Sequence, residues 1–128
     1  MSPRGLTLDA GALIALDRAD EDVRALVRTA REGGLALSVP AGALGQAWRD
    51  DARQARLAGF LRTSHGPELM ALDGQTARAA GELCGRVHTS DVIDASVVLC
   101  ARRRGHRIVT SDPDDMAGLD ASLELITV

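Results

Sequence analysis

Hydrophobic residues along the chain follow two patterns that alternate from one end to the other. Five short runs are mostly apolar and bounded by turn-forming residues, as is typical of strands buried in a parallel sheet. Between them, apolar residues recur every three or four positions, the spacing of one helix face, as at Val23, Val27 and Ala30. The predicted strands cover residues 6–8, 35–39, 68–72, 107–110 and 123–128. This alternation predicts an α/β protein whose five-stranded, mainly parallel sheet is covered by helices on both faces.

Capping residues, proline and glycine mark where the predicted helices begin and end. Asp20 and Asp73 precede helical patterns as N-caps, and Gly105 follows the last residue of another helix. Pro40 fits the start of a helix, and the cluster at 64–67 is expected to end one. The predicted helices cover 10–16, 20–32, 40–48, 53–61, 73–87 and 91–104, and one more begins at 112.

The chain has 128 residues, a length that fits one domain, so we expect a single domain over residues 1–128. Its composition, 45% apolar and 26% charged, is that of a globular protein. The longest weakly charged apolar run, 92–101, contains Asp94 and is far shorter than the roughly 20 residues that cross a membrane. The N-terminus leads into strand-like sequence without an apolar signal segment, so we expect a cytoplasmic protein that does not enter a membrane.

Missing residue types exclude several classes of function. All 15 basic residues are Arg, which excludes chemistry that needs a lysine, such as Schiff-base formation or a Walker-type phosphate loop. With no Tyr, one Phe and one Trp, the chain cannot build the aromatic platforms that bind single-stranded nucleic acid. A net charge of −3 argues against broad attachment to a phosphate backbone. The two cysteines, Cys84 and Cys100, lie on apolar helix faces and are expected to be buried and unpaired.

Acidic residues fall where the predicted strands end. Asp9 follows the first strand, Asp112 follows the fourth, and Asp94 lies in the first turn of the apolar helix before the fourth strand. In open α/β sheets, ligands bind beyond the carboxyl ends of the strands, so we expect these three acids to meet at one edge. Asp91 lies three residues before Asp94, and Asp115 lies three after Asp112, so both can reach the same edge.

Each of these acids also has a structural interpretation. Asp112 precedes Pro113 at a predicted helix start, where capping is the expected role of its carboxylate. Asp9 and Asp91 precede helices as well and can act as caps. Asp94 differs, because an unpaired carboxylate inside the least polar helix is costly unless a cation or hydrogen bonds compensate for its lost hydration. Mg²⁺ or Mn²⁺ is the usual partner of clustered carboxylates, and such an ion supports hydrolysis of a phosphodiester.

Segments near both ends of the sequence resemble a known family. The first segment is Leu6-Thr7-Leu8-Asp9 with Ala10 and residues 13–16; the second comprises Asp94-Ala95, Ala101, Gly105, Ile108-Val109-Thr110-Ser111-Asp112 and Asp115-Met116. In this order and spacing, they resemble a PIN domain, specifically the VapC-like toxin ribonucleases of bacterial toxin–antitoxin pairs. The resemblance covers nearly the whole chain and implies a PIN-like three-layer α/β/α fold.

The resemblance also implies roles for individual residues. Five acids correspond to the family's metal site, namely Asp9, Asp94 and Asp112 directly, and Asp91 and Asp115 as outer positions. Thr110 matches a hydroxyl residue beside them. The family usually has a Glu in the helix after the second strand, where this chain has Gln46. An amide can orient a metal-bound water but lacks the charge and basicity of a carboxylate, so we expect weaker metal binding or a slower reaction.

By this resemblance, the leading hypothesis is an endoribonuclease that depends on Mg²⁺ or Mn²⁺ and acts on RNA. The resemblance implies a small antitoxin protein that covers the acidic pocket, and a homodimer. One alternative is a catalytically silent PIN module that binds RNA or an antitoxin-like protein, an interpretation motivated by Gln46. Another is a different α/β phosphohydrolase with Asp9 as its nucleophile, although the absence of Lys argues against the haloacid-dehalogenase class.

Overall fold

Helices and strands alternate along residues 4–63 and 66–128, the part of the chain that this computed structural model describes. The strands are β1 (Gly5–Leu8), β2 (Ala36–Pro40), β3 (Glu68–Met70), β4 (Arg107–Thr110) and β5 (Leu125–Thr127). The helices are α1 (Ala10–Asp17), α2 (Glu21–Glu32), α3 (Ala41–Ala47), α4 (Ala55–Arg62), α5 (Gly74–Val87), α6 (Val92–Arg104) and α7 (Pro113–Leu119). Residues 1–3 at the N-terminus and residues 64 and 65 of the predicted helix break lie outside the described residues.

The five strands form one sheet in the order β3-β2-β1-β4-β5, and every neighbouring pair is parallel. In the centre, Leu6 of β1 pairs with Leu37 of β2 and with Arg107 of β4. Parallel neighbours need crossover connections, and helices supply them on both faces of the sheet. The predicted α/β class, the five-stranded sheet and the three-layer α/β/α architecture are therefore confirmed.

The core lies on both sides of β1, whose four residues are all buried. On one face, α6 packs against β1, β2 and β4, and its residues 95–101 are buried without exception. On the other face, α1 packs against β1 and β4. A central parallel strand is buried on both faces. The residues that directly follow β1 are therefore attached to a rigidly packed strand.

Most helix boundaries agree with the predictions from capping. The carboxylate of Asp20 accepts a hydrogen bond from the amide of Val23 at 3.0 Å, and Asp73 does the same for Thr76 at 2.8 Å. Gly105 ends α6 in the left-handed conformation, with a φ of 68°. The edge strands β3 and β5 are shorter than predicted, because each has a partner strand on one side only.

A buried glutamine that the sequence analysis did not single out, Gln54, organises the turn between α3 and α4. Its Oε1 accepts hydrogen bonds from the amides of Arg49 at 2.6 Å and Asp50 at 3.0 Å. Its Nε2 donates to the carbonyl of Ala47 at 2.9 Å. These side-chain bonds satisfy backbone groups without a helix, so α4 begins after Gln54, and the prediction that Arg53 lies inside this helix was wrong.

Both cysteines are buried and unpaired, as the sequence predicts. The Sγ of Cys100 lies 3.9 Å from the Oγ1 of Thr7, and burial raises the pKa of the Cys100 thiol. Among the described residues, none of the helices combines the length and the apolar character needed to cross a membrane.

Candidate metal centre

The ends of β1 and β4 lie side by side at the carboxyl edge of the sheet. The amide of Asp9 donates to the carbonyl of Val109 at 3.1 Å. In the first turn of α1, Gly11 lies so close to Ser111 that a β-carbon at position 11 would overlap the Ser111 side chain. Glycine here lets the helix that follows β1 approach the loop that follows β4. This approach brings Asp9 near enough to Asp112 for their charges to interact.

Asp9 is buried, with 3% of its surface exposed. Its Oδ1 accepts a hydrogen bond from the amide of Ala12 at 2.9 Å, so Asp9 is the N-cap of α1. Burial raises the pKa of the Asp9 carboxyl, and the charge of Asp112 adds to the rise. The Thr110 hydroxyl and the Ala12 amide oppose it. Capping therefore accounts for one carboxylate oxygen of Asp9.

Thr110 connects the two strand ends through a fully buried side chain. Its Oγ1 accepts a hydrogen bond from the amide of Asp112 at 2.9 Å, which leaves the hydroxyl hydrogen for Asp9. Asp112 occupies the N-cap position of α7, but its side chain makes no capping hydrogen bond, so the capping role predicted for this carboxylate was wrong.

A second pair of acids begins α6. Asp91 is the N-cap, and its Oδ1 accepts a hydrogen bond from the amide of Asp94 at 2.9 Å. Burial is the largest of the effects that raise the pKa of Asp94 to about 7. The charge and hydrogen bonding of Asp91 come next, followed by the charges of Asp9 and Asp115. Because Asp112 acts on Asp9 in turn, repulsion links all five predicted acids.

Arginine does not neutralise this group. In residues 4–63 and 66–128, the ion pairs involve other carboxylates, and none includes any of the five predicted acids. A cleft of about 300 Å³ opens beside Asp91, Asp94 and Asp115. It is also lined by Asp114, which the sequence analysis did not select, although its place in the acidic run after Pro113 was a signal. The cleft therefore concentrates negative charge without a basic partner.

The chemistry of these side chains fits a hydrated divalent cation. As they lie, no three His, Cys, Asp or Glu side chains within the described ranges are close enough together to hold one metal ion. Mg²⁺, however, is usually bound by only one or two carboxylates and keeps several waters. Burial first, and then the repulsion of neighbouring acids, raise the pKa of Asp94, and a cation would oppose both because positive charge favours the ionised carboxylate. Charge and ligand type therefore suit Mg²⁺ or Mn²⁺.

Gln46 lies at a different cleft. It is exposed on α3, and it lines that cleft together with Ile14, Asp17 and Arg49. The two clefts share no lining residue. Within the described part of the chain, no hydrogen bond joins Gln46 to any of the five acids. The structure therefore brings the acids and Thr110 to one edge, and Gln46 lines a separate cleft.

Comparison with known proteins identifies the fold. No protein-family model matches the sequence, and no curated protein is similar to it. Solved structures do match. A chain in the crystal structure of VapBC2 from Rickettsia felis, bound to a DNA fragment from its promoter, superposes with a TM-score of 0.67 at 13% identity, over 96% of this chain and 98% of that one.

A second match is VapC20 from Mycobacterium tuberculosis, a toxin that cleaves the sarcin–ricin loop. It has a TM-score of 0.65 at 16% identity, over 97% of this chain and 98% of the toxin. Both matches extend across the sheet, the helices and the acidic edge, because they cover nearly all of the chain. The chain therefore has the PIN-domain fold of the VapC toxins.

Proposed function

We propose that this protein is a metal-dependent endoribonuclease that hydrolyses RNA phosphodiester bonds at the carboxyl edge of its sheet. The observation that carries the proposal is the group of five carboxylates that form no ion pair with an arginine of the described residues, in which burial and repulsion raise the pKa of Asp94 to about 7. The shared fold adds support, since VapC20 is a toxin that cleaves the sarcin–ricin loop. A fold alone does not determine a function, so the proposal depends on the site.

In this proposal, Asp9, Asp94 and Asp112 would hold a Mg²⁺ or Mn²⁺ ion, in part through its bound waters, because no three acids of the described residues lie close enough to bind one ion together. Asp91 and Asp115 would add negative charge around it. When bound, the ion supplies positive charge that stabilises the phosphodiester in its transition state and makes water more acidic. The Asp9 carboxylate is buried and hydrogen-bonded to the Ala12 amide, so its position is fixed in advance. Asp94 must bind as a carboxylate, so metal binding releases the proton that it otherwise holds up to a pH of about 7.

Thr110 is the positioning residue of the proposed site. It accepts the hydrogen bond of the Asp112 amide and donates toward Asp9, which fixes both acids relative to β4. Without Thr110, the loop after β4 would lose the hydrogen bond from the amide of Asp112 to the Thr110 hydroxyl. We assign Gln46 no contact with the ion, because it lies at a different cleft.

We also propose an antitoxin protein as a partner and a homodimer as the assembly. The acidic cleft supports the first proposal, because a guanidinium group inserted by a partner would relieve the same repulsion as a cation. An inserted arginine and a metal ion would then exclude one another, which gives an antitoxin a simple means of inhibition. The homodimer depends on the family resemblance alone.

The test is cleavage of a labelled RNA by the purified chain in Mn²⁺, in Mg²⁺ and in EDTA. We expect cleavage with either ion and none with the chelator. Asp94→Asn should reduce cleavage by at least about 100-fold, because it removes a charged ligand from the site. The matched control is Glu82→Gln, which removes one charge from an exposed position on α5 and should leave cleavage unchanged.

Circular dichroism establishes that both variants are folded. Cleavage that persists in EDTA, or full activity of the folded Asp94→Asn variant, would contradict the proposal. Tight RNA binding without cleavage in either ion would support a catalytically silent PIN module instead.

A further inference from the structure

A cleft at the amino-terminal edge of the sheet is lined by five of the 15 arginines of the chain. It has a volume of about 440 Å³ and is formed by the segments that lead into β1, β4 and β5. Its arginines are Arg4, Arg102, Arg103, Arg104 and Arg107. In a chain whose net charge is −3, this basic cleft is a strong local concentration of positive charge.

The basic cleft and the acidic edge lie at opposite ends of the same strands. Arg4 precedes β1 and Asp9 follows it, while Arg107 begins β4 and Asp112 follows it. A parallel strand rises about 3.3 Å per residue, so a strand of four residues separates the two edges by roughly 13 Å. The direct line between the two edges passes through the core, so an RNA strand that contacts both edges has to pass around the helices that cover the sheet.

Part of the positive charge in the basic cleft has no carboxylate partner. Arg102 donates two hydrogen bonds to Asp120, and Arg104 is paired as well. Arg4 and Arg107, in contrast, form no ion pair with any carboxylate of the described residues. The Nε of Arg107 is also buried and has no hydrogen-bond partner among the described residues. The run 102–104 suits the negative end of α6, but Arg4 and Arg107 lie outside that helix and need another explanation.

The lining of the basic cleft favours a phosphate chain over a protein segment. Of its lining residues, Ala101 and Leu123 are apolar and Glu124 is acidic, whereas protein interfaces have an apolar centre. The groove between α2 and α4 has such a centre, since Leu16, Val27 and Phe60 line it among the arginines. The basic cleft instead presents guanidinium groups, which bind phosphate oxygens with two parallel hydrogen bonds.

We propose that the basic cleft binds phosphate groups of the RNA backbone, as a second contact for the RNA that the acidic edge cleaves. The identity of the nucleic acid rests on the proposed function, whereas the charge of the cleft does not. Arg4 and Arg107 make the phosphate contacts, and Arg102, held by Asp120, forms a fixed wall. Contacts of this kind add affinity and salt dependence without sequence specificity.

The test is the binding of a fluorescently labelled single-stranded RNA, followed by anisotropy over a salt series in EDTA, so that no RNA is cleaved. The double variant Arg4→Gln/Arg107→Gln should bind about tenfold more weakly. The slope of log affinity against log salt should fall by about 1.4, since each lost phosphate contact on a single strand removes about 0.7. The control Arg78→Gln/Arg86→Gln removes the same charge from exposed positions on α5 and should change affinity less than about twofold.

Because Arg107 is partly buried, the exposed single variant Arg4→Gln is measured beside the double variant, and melting curves establish that both are folded. Arg4→Gln alone should show about half of the change in slope. Unchanged slopes in the folded variants would overturn the proposal. Poly-glutamate that binds the wild type more tightly than RNA does, and loses this binding in the double variant, would assign the cleft to an acidic protein and overturn it as well.

Cleavage of the same RNA in Mn²⁺ separates this proposal from the nuclease proposal. A lower salt slope in the Arg variants of a protein that cleaves no RNA would support the basic cleft and contradict the nuclease. Unchanged slopes in a protein that cleaves RNA would support the nuclease and overturn the basic cleft.

Discussion

The carboxylate of Asp91 accepts a hydrogen bond from the amide of Asp94 at 2.9 Å, so the cap of α6 holds negative charge beside the half-buried carboxylate of the next turn. The bond stabilises the start of the helix, and the same charge helps to raise the pKa of Asp94. Capping and an effect on the neighbouring acid are therefore not alternatives at Asp91. One oxygen of Asp91 caps the helix, while the negative charge of the carboxylate makes a nearby cation more favourable.

We expect the metal-free protein to lose stability as the pH rises toward neutrality. The pKa of Asp94 is about 7 in the folded chain and 3.8 in the unfolded chain. The folded state therefore holds a proton that the unfolded state releases, so this group lowers the free energy of unfolding as the pH rises from 3.8 to about 7. Melting temperatures in EDTA from pH about 5 to about 8 measure the effect.

The control for this prediction is Asp94→Asn, which should remove that part of the pH dependence. His106 acts with the opposite sign, because burial lowers its pKa below 6.5 and the unfolded state then gains protons first as the pH falls. The difference between wild type and Asp94→Asn isolates the carboxyl from this histidine. A difference that does not change with pH would contradict the raised pKa of Asp94.

Thr110→Val should destabilise the protein and slow cleavage together. Valine keeps the shape of the side chain but leaves the Asp112 amide without its acceptor, which should lower the free energy of unfolding by about 2 kcal/mol. Cleavage should fall about tenfold, because the acids lose the residue that positions them. Urea unfolding and initial cleavage rates are the measurements. The control is Thr127→Val, which changes an exposed threonine of the neighbouring strand β5. If Thr127→Val slows cleavage as much as Thr110→Val does, the effect is not specific to Thr110, and its assignment to the site is wrong.

Gln46→Glu tests whether the residue at the family's usual glutamate position reaches the ion. The side chain is exposed at a cleft that shares no lining residue with the acidic one, so we expect the affinity for Mn²⁺ to change less than about threefold. Calorimetric titration of Mn²⁺ is the measurement. Binding at least about tenfold tighter would show that position 46 contributes to the metal site, and the assignment made here would be wrong.

Gln54→Ala should destabilise the protein although it touches no acid of the site. Loss of the side chain leaves the amides of Arg49 and Asp50 and the carbonyl of Ala47 without their partner, which should cost about 2 kcal/mol in the free energy of unfolding. Gln75→Ala, at an exposed position on α5, should change that free energy by less than about 0.5 kcal/mol. Similar urea midpoints for the two variants would contradict the buried role of Gln54.

The positions of the acids could be predicted because they depend on topology. Once β1 and β4 are recognised as parallel strands, Asp9 and Asp112 must lie at the same edge of the sheet, because each directly follows its strand. Asp94 lies at the same edge because it is in the first turn of the helix that precedes β4. The use of each carboxylate could not be predicted in the same way. The side chain of Asp112 makes no capping hydrogen bond, although the pattern of acids and proline around it is typical of a helix start.

Features that depend on contacts between distant segments, or on local side-chain hydrogen bonds, could not be predicted from the sequence either. Gln54 looks like any surface glutamine in the sequence, because its burial depends on how the turn folds around it. The basic cleft depends on residues that begin different strands, so Arg4 and Arg107 come together only when the sheet is assembled. Sequence periodicity describes one element at a time and contains no information of this kind.

The pairing of β1 with β4 matches Leu8 with Val109, and it sets more than the strength of the sheet. Side chains along a strand alternate between the two faces, so a slip of β4 by one residue would turn the hydroxyl of Thr110 to the opposite layer and carry Asp112 away from Asp9. A ligand or variant that loosened this ladder would separate the acids while every acidic side chain stayed intact. The proposed metal site therefore depends on the alignment of two backbones as well as on its carboxylates.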